Sequence, residues 1–295
     1  MTQMSKTTVA WYLLAPMMII IVGVAGYPLI KTVYFSFTAA HLVSPDTSDQ
    51  WVGLTNFLKA LGNAKFRSSI GNTVYFVVFS VSAEILLGVL VALLLNQEFH
   101  GRTLLRALVI LPLALPTVVN AMMWRLIYGP DFGALNALLT QVGLLAEYRS
   151  WLGDPSSALT MVALADIWKN FPLVALITLA ALQTISRDHL EAALLDGANA
   201  WQRFWHVVFP AIVAPVSVAL VLRTIEAFKV FDIIYVMTRG GPASSTKTVS
   251  FHVYQEAFAY MRVGSGASYA LIVVLISAAL IAVYLKLLQR QGETA

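Results

Sequence analysis

No cysteine occurs among the 295 residues, which excludes a disulfide framework and every thiolate metal site. Charge is nearly as scarce. Only 12% of the residues are Asp, Glu, Lys or Arg, against roughly 25% in soluble domains, and this excludes an ordinary soluble protein. The five histidines, His41, His100, His189, His206 and His252, show no metal-ligand spacing. Neither a Ser-His-Asp arrangement nor a nucleophile elbow is present, so the chain is not expected to be an enzyme. No internal repeat, low-complexity tract or soluble insertion of domain size interrupts it. No basic patch interleaved with aromatics supports nucleic-acid binding. The net charge of +4 is met more simply by residues facing lipid headgroups.

What remains is apolar: 59% of the chain is hydrophobic. Six runs are long enough for a membrane crossing, which takes about 20 residues. They fall at about 9–30, 70–95, 104–128, 158–182, 207–237 and 268–288. The first follows Lys6 and outruns the apolar core of a signal peptide, about 7–15 residues, so an uncleaved first helix is expected. The fold expected is therefore all-α, a polytopic membrane protein with six transmembrane helices. Residues 1–295 read as one transmembrane domain.

The connections at 31–69, 129–157 and 238–267 are long and carry turn formers such as Ser44-Pro45-Asp46 and Gly240-Gly241-Pro242. Those at 96–103 and 183–206 are shorter and contain Arg102, Arg187 and Arg203. The positive-inside rule assigns this shorter basic set, and with it both termini, to the cytoplasm. The charge bias is slight, because the long connections also hold Lys59, Lys65, Arg67, Arg239, Lys247 and Arg262.

Ionisable residues inside the spans cost roughly 2.5–3.5 kcal/mol each at a helix centre, so they should face protein or water. The fifth run carries Arg223, Glu226, Lys229 and Asp232 at successive three-residue steps. Neighbours of opposite sign can pair along a helix, although the steps carry Asp232 to the side opposite Arg223. The fourth holds Asp166, Lys169, Asn170 and Pro172, the second Glu84. Asp166, Lys169, Asn170, Glu226, Lys229 and Asp232 are candidates for lining a polar pathway; a self-neutralising lock on helix packing is the alternative. Glu84 could partner a basic residue in another span, which sequence does not identify. The third run contains Pro112, Pro116 and Asn120, and its Trp124, Arg125 and Tyr128 suit an interfacial anchor near the span end.

One connection has its own design: Glu191-Ala-Ala-Leu-Leu-Asp-Gly197-Ala-Asn199, closing with Phe209-Pro210. Asp188 can cap a short helix with Glu191 in the reciprocal place, and Gly197 can end it. Asn199 and Gln202 repeat the capping spacing for a helix entering the next span. Another segment, Gly241 to Thr248, looks like a phosphate loop. However, Thr246 stands where that motif needs glycine and no strand precedes it, so ATP binding by this chain is not expected.

The Glu-Ala-Ala stretch, with Glu191, Ala192, Ala193, Gly197 and Pro210 in place, resembles the EAA loop of binding-protein-dependent ABC import permeases. The likeness continues in Pro16 and Tyr27-Pro28-Leu29, in Trp51-Val-Gly53-Leu-Thr-Asn56-Phe57, in Phe231-Asp232-Ile-Ile-Tyr235, and in Thr238-Arg-Gly240-Gly241-Pro242 with Ser245-Thr246. It is most specific over residues 155–270. Together these segments resemble the MalF-like permease subunit of the carbohydrate uptake transporter-1 group, without that subunit's large periplasmic insertion.

The resemblance implies a type I importer permease in a bacterial inner membrane, its EAA loop cytoplasmic, forming half of a translocation pathway for a sugar or sugar derivative. Glu191, Ala192, Ala193, Asp196 and Gly197 would couple to ATPase subunits through a coupling helix. The implied partners are a second, MalG-like permease, two ATPase subunits, a periplasmic or extracellular solute-binding protein, and membrane lipid. ATP and Mg would sit on the ATPases, with no cofactor on this chain. From the residues alone, a secondary transporter driven by an ion gradient through the fifth-span charges stays open, although no inverted repeat is visible.

Overall fold

The computed structural model describes residues 6–44, 46 and 50–293. Among them are helices and connecting turns, with no strand and only isolated bridges, Thr38 to Trp51 and His41 to Ser44. The middle of the expected turn at Ser44-Pro45-Asp46 lies outside the described residues, as do both extreme chain ends. Among the described residues, five helices are long and apolar enough to cross a membrane: Trp11–Ser36, Ala64–Asn96, Ala158–Leu182, Ala200–Phe228 and Val263–Tyr284. The first has none of its apolar window buried within the chain.

Two of the expected spans differ. The third, expected as one helix, is a pair, Arg102–Ala114 and Thr117–Ile127, bent by 101° at the break. Counted as one span, it completes a set of six. The cause is Pro116, whose ring pushes the preceding residue out of the helical region: Leu115 is extended, with φ −75° and ψ 133°. Pro112 and Pro172 lie inside continuous helices. The fifth span begins earlier than expected and stops at Phe228. Phe231, at φ −138° and ψ −56°, precedes a separate short helix, Asp232–Met237. The four charges therefore do not ride on one helix.

Contacts gather the chain into two compact units, residues 1–66 with 252–275 and residues 67–251 with 276–295. In the first, the Asn56 side-chain amide donates to the carbonyls of Ser36 (3.0 Å) and Thr38 (2.8 Å), both buried residues. It thereby satisfies backbone groups that the end of the first span leaves open. Phe37 stacks on Trp51, with ring centroids 5.3 Å apart, and meets Phe57 at the same distance. The motif around Asn56 is thus a cap on the first span. Asn56→Ala is expected to cost about 2 kcal/mol, because it leaves two buried carbonyls without a donor. An unchanged melting temperature of the purified protein would mean water replaces both bonds.

In the second unit, Phe76, Val162, Ala163, Ile233, Ile234 and Phe251 form the centre of the core. The second and fourth spans meet closely where a Cβ on Gly88 would stand 2.5 Å from that of Val174; small residues permit such approach between membrane helices. Trp124 and Tyr128, expected at an interface, pack inside instead. Trp124 lies edge-on to Trp168 at 5.7 Å and 5.2 Å from Tyr128, itself buried. The bend at Pro116 turns this helix so that both rings join the core. Arg125 remains exposed and donates to the Val236 carbonyl at 3.2 Å.

Two connections are organised by single polar residues. Asn136 donates to the carbonyls of Gly129 (3.2 Å) and Arg149 (3.0 Å) and accepts from Trp151 Nε1 at 2.8 Å. In the Gly241–Thr248 segment, the buried Thr246 hydroxyl donates to the Gly241 carbonyl at 2.7 Å. Asn72 of the second span donates to the carbonyls of Ser244 and Lys247, both at 3.1 Å. The segment is a brace folded on itself and tied to the second span.

Candidate functional site

All six residues read as pathway candidates, Asp166, Lys169, Asn170, Glu226, Lys229 and Asp232, line one cavity of about 410 Å³. A continuous helix would have turned Asp232 away from Arg223. The break over Lys229 to Phe231 brings it back to the same cavity. Asp166 and Asn170 are buried, Lys169 half-buried, and Glu226, Lys229 and Asp232 exposed. The further lining residues include three that were not among the pathway candidates. Thr117 arrives because it opens the helix after the bend in the third span, and Phe231 because it lies in the break after the fifth. Arg223 completes them. The Phe231 ring stacks on Tyr235 at 5.5 Å and on Phe251 at 6.1 Å.

Arg223 supplies the missing partner of Glu84. Its Nε donates to Glu84 Oε2 at 2.7 Å and its Nη2 to Glu84 Oε1 at 3.1 Å, the two-point geometry that a planar guanidinium allows. Nη2 also donates to Asp166 Oδ2 at 3.3 Å, and Nη1 donates to Glu226 Oε2. Glu84 is fully buried, and Asp166 and Arg223 nearly so. One guanidinium thus joins the second, fourth and fifth spans. Of the ladder expected along the fifth span, only Arg223 and Glu226 pair. Among the described residues, Lys229 and Asp232 form no ion pair, since the helix that would align them has ended.

At the other end of the fifth-span helix lies the Glu-Ala-Ala loop. Its helix is Arg187–Leu195. Ser186, not Asp188, is the cap: its hydroxyl accepts from the Asp188 amide at 3.2 Å. Asp188 falls in the first turn, where an acidic side chain favours the positive helix end. Gly197 has φ +79° and closes the helix in a Schellman turn. Its amide donates to the Leu194 carbonyl, and the Ala198 amide to that of Ala193, both at 3.0 Å. Asn199 and Gln202 form the expected capping box, each side chain accepting from the other's amide at 2.9 Å. This box opens the helix Ala200–Phe228, through a short π-turn at Phe204–Val208.

Glu191, Ala192, Asp196 and Gly197 are exposed and Ala193 is half-buried. Ala193, Asp196 and Gly197 line a groove of about 360 Å³ with Gln202, Arg203 and His206. Leu195 is 90% exposed and Trp201 70%.

A family model described as "Binding-protein-dependent transport system inner membrane component" matches residues 84–292. The chain is similar to the trehalose/maltose transport system permease protein MalF of Thermococcus litoralis, 36% identical over 284 residues, covering 95% of this chain and 94% of that one. It is also similar to the sulfoquinovosyl glycerol transport system permease protein SmoG of Agrobacterium fabrum, 32% identical over 277 residues, covering 94% and 89%. Among solved structures, a bacterial ABC transporter involved in the import of the acidic polysaccharide alginate has a chain with TM-score 0.84 and 21% identity. That match covers 96% of this chain and 95% of that one.

Proposed function

Since this chain belongs to the family of binding-protein-dependent transport system inner membrane components, we propose that it forms one half of the pathway of an ATP-driven importer for a sugar or sugar derivative. The observation that carries this reading is the cavity. Seven charged or amide side chains from the fourth span, the end of the fifth and the break that follows it converge on one space, although each is costly in a membrane. The substrates for which the relatives are named, trehalose, maltose and sulfoquinovosyl glycerol, support a carbohydrate. Family membership displaces the gradient-driven reading of the same charges.

In this reading all residues act as one permease domain in the inner membrane, with both termini and the Glu-Ala-Ala loop on the cytoplasmic side. A MalG-like permease completes the pathway. Two ATPases grip the loop through Glu191, Ala192, Ala193, Asp196 and Gly197, and hold the ATP and Mg; this chain performs no chemistry. Glu191 and Asp196 offer charge, the alanines allow close approach, and Gly197 gives the bend. A solute-binding protein delivers substrate from outside. Closure of the ATPases draws on the loop, the spans rock to open the cavity outward, and hydrolysis resets it inward.

The test is ATP hydrolysis by this chain reconstituted with the neighbouring permease, ATPases and binding protein. Loaded binding protein is expected to stimulate hydrolysis several-fold over unloaded. Failure of the subunits to assemble, or hydrolysis indifferent to every partner, would overturn the importer reading.

A further inference from the structure

The charges around the cavity are not equally available to a ligand. Four of the five N–H donors of Arg223 are taken by Glu84, Asp166 and Glu226. Its back is held by buried carboxylates, so it cannot turn toward an anion. Glu226 is different: its side chain is 58% exposed, and among the described residues only its Oε2 meets a donor, from Arg223. Glu226, Asp232, Lys169 and Lys229 all line the cavity, and among the described residues Glu226 Oε1 and the Asp232 carboxylate meet no donor and neither lysine forms an ion pair.

Each acceptor that loses water on ligand binding must gain a donor. A ring of hydroxyls meets this requirement: a hydroxyl donates to Glu226 or Asp232 and accepts from a lysine, while the Phe231 ring offers an apolar face. A carboxylate or sulfonate brings no donor and adds like charge beside Glu226 and Asp232. Resting on the importer reading above, we infer that this cavity selects an uncharged, hydroxyl-rich sugar over its acidic counterpart. Glu226 makes that selection, and Arg223 is the positioning residue that aims it.

The measurement is equilibrium binding of labelled sugars to the whole transporter, both permeases with their ATPases, without nucleotide or binding protein. The probes are trehalose, maltose, sucrose and cellobiose against digalacturonate. At least one uncharged disaccharide is expected to bind tenfold or more tighter than digalacturonate. Glu226→Gln, which keeps the shape but loses the charge, is expected to narrow that ratio at least tenfold, the scale of one charged hydrogen bond. Arg223→Lys, which keeps the charge but loses the fork, is expected to narrow it in the same direction. If that variant fails to assemble, Glu226→Gln decides alone.

A purely structural Glu226 would weaken both classes equally and leave the ratio unchanged, which overturns the proposal. Tighter digalacturonate binding by the wild type, or no saturable binding of any probe, overturns it as well. Stimulated ATP hydrolysis by the wild-type transporter reports on the importer reading independently, so the two fail separately.

Discussion

Arg223→Ala is expected to destabilise the protein by about 3–5 kcal/mol, because removing one partner of a buried ion pair strands the other charges. Here two carboxylates are stranded, Glu84 at 2.7 Å and Asp166 at 3.3 Å from the lost guanidinium, with Glu84 fully buried. The loss should appear as a lower melting temperature of the purified complex and less assembled protein in the membrane. A second substitution gives the control. Arg223→Ala combined with Glu84→Gln removes the most buried of the stranded charges and should recover part of the stability. Wild-type melting of the single variant, or no recovery in the double one, would show that the network does not hold the spans together.

Gly197→Asp should have the largest effect on transport with little effect on folding. At φ +79° a side chain costs about 1–3 kcal/mol of backbone strain, and aspartate is among the residues that tolerate this region best. A Cβ there meets nothing within 4 Å, so the chain has room for it. Insertion and assembly are therefore expected to persist. What changes is the surface offered to an ATPase: a carboxylate replaces a bare backbone beside Asp196 and the groove it lines. Uptake is expected to fall a hundredfold or more while ATP hydrolysis loses its response to loaded binding protein. Normal stimulated hydrolysis by this variant would sink the coupling role of the loop.

How much of this was legible in the sequence depends on the distance over which each feature is decided. The capping box of Asn199 and Gln202 and the bend at Gly197 were readable because a few adjacent residues fix them. Ser186 and Asp188 are both good caps, and only the register of the helix selects the first. The bend at Pro116 was harder, since seven prolines sit in the apolar runs and membrane helices tolerate proline; Pro16, Pro112, Pro172 and Pro215 all stay within continuous helices. The six cavity residues could be named from their cost in a membrane. That Asp232 faces the same space as Glu226 could not, because a regular helix puts it elsewhere. Neither could the bond between Glu84 and Arg223, which are 139 positions apart and meet only through the packing of spans.

The helix Ala200–Phe228 joins these two regions without a break, and that makes it a lever. Its 29 residues, at 1.5 Å each, make a rod about 43 Å long. One end is capped inside the Glu-Ala-Ala loop, and the other carries Arg223 and Glu226 to the cavity wall. A tilt of about 5° pivoted at the loop sweeps the far end by roughly 4 Å over such a length, enough to break a hydrogen bond or to widen a passage by a water molecule. Arg223 is fastened to Glu84 and Asp166 on two other helices, so that sweep cannot remain local. The spans must move as a block with the rod, or its grip on them must be released.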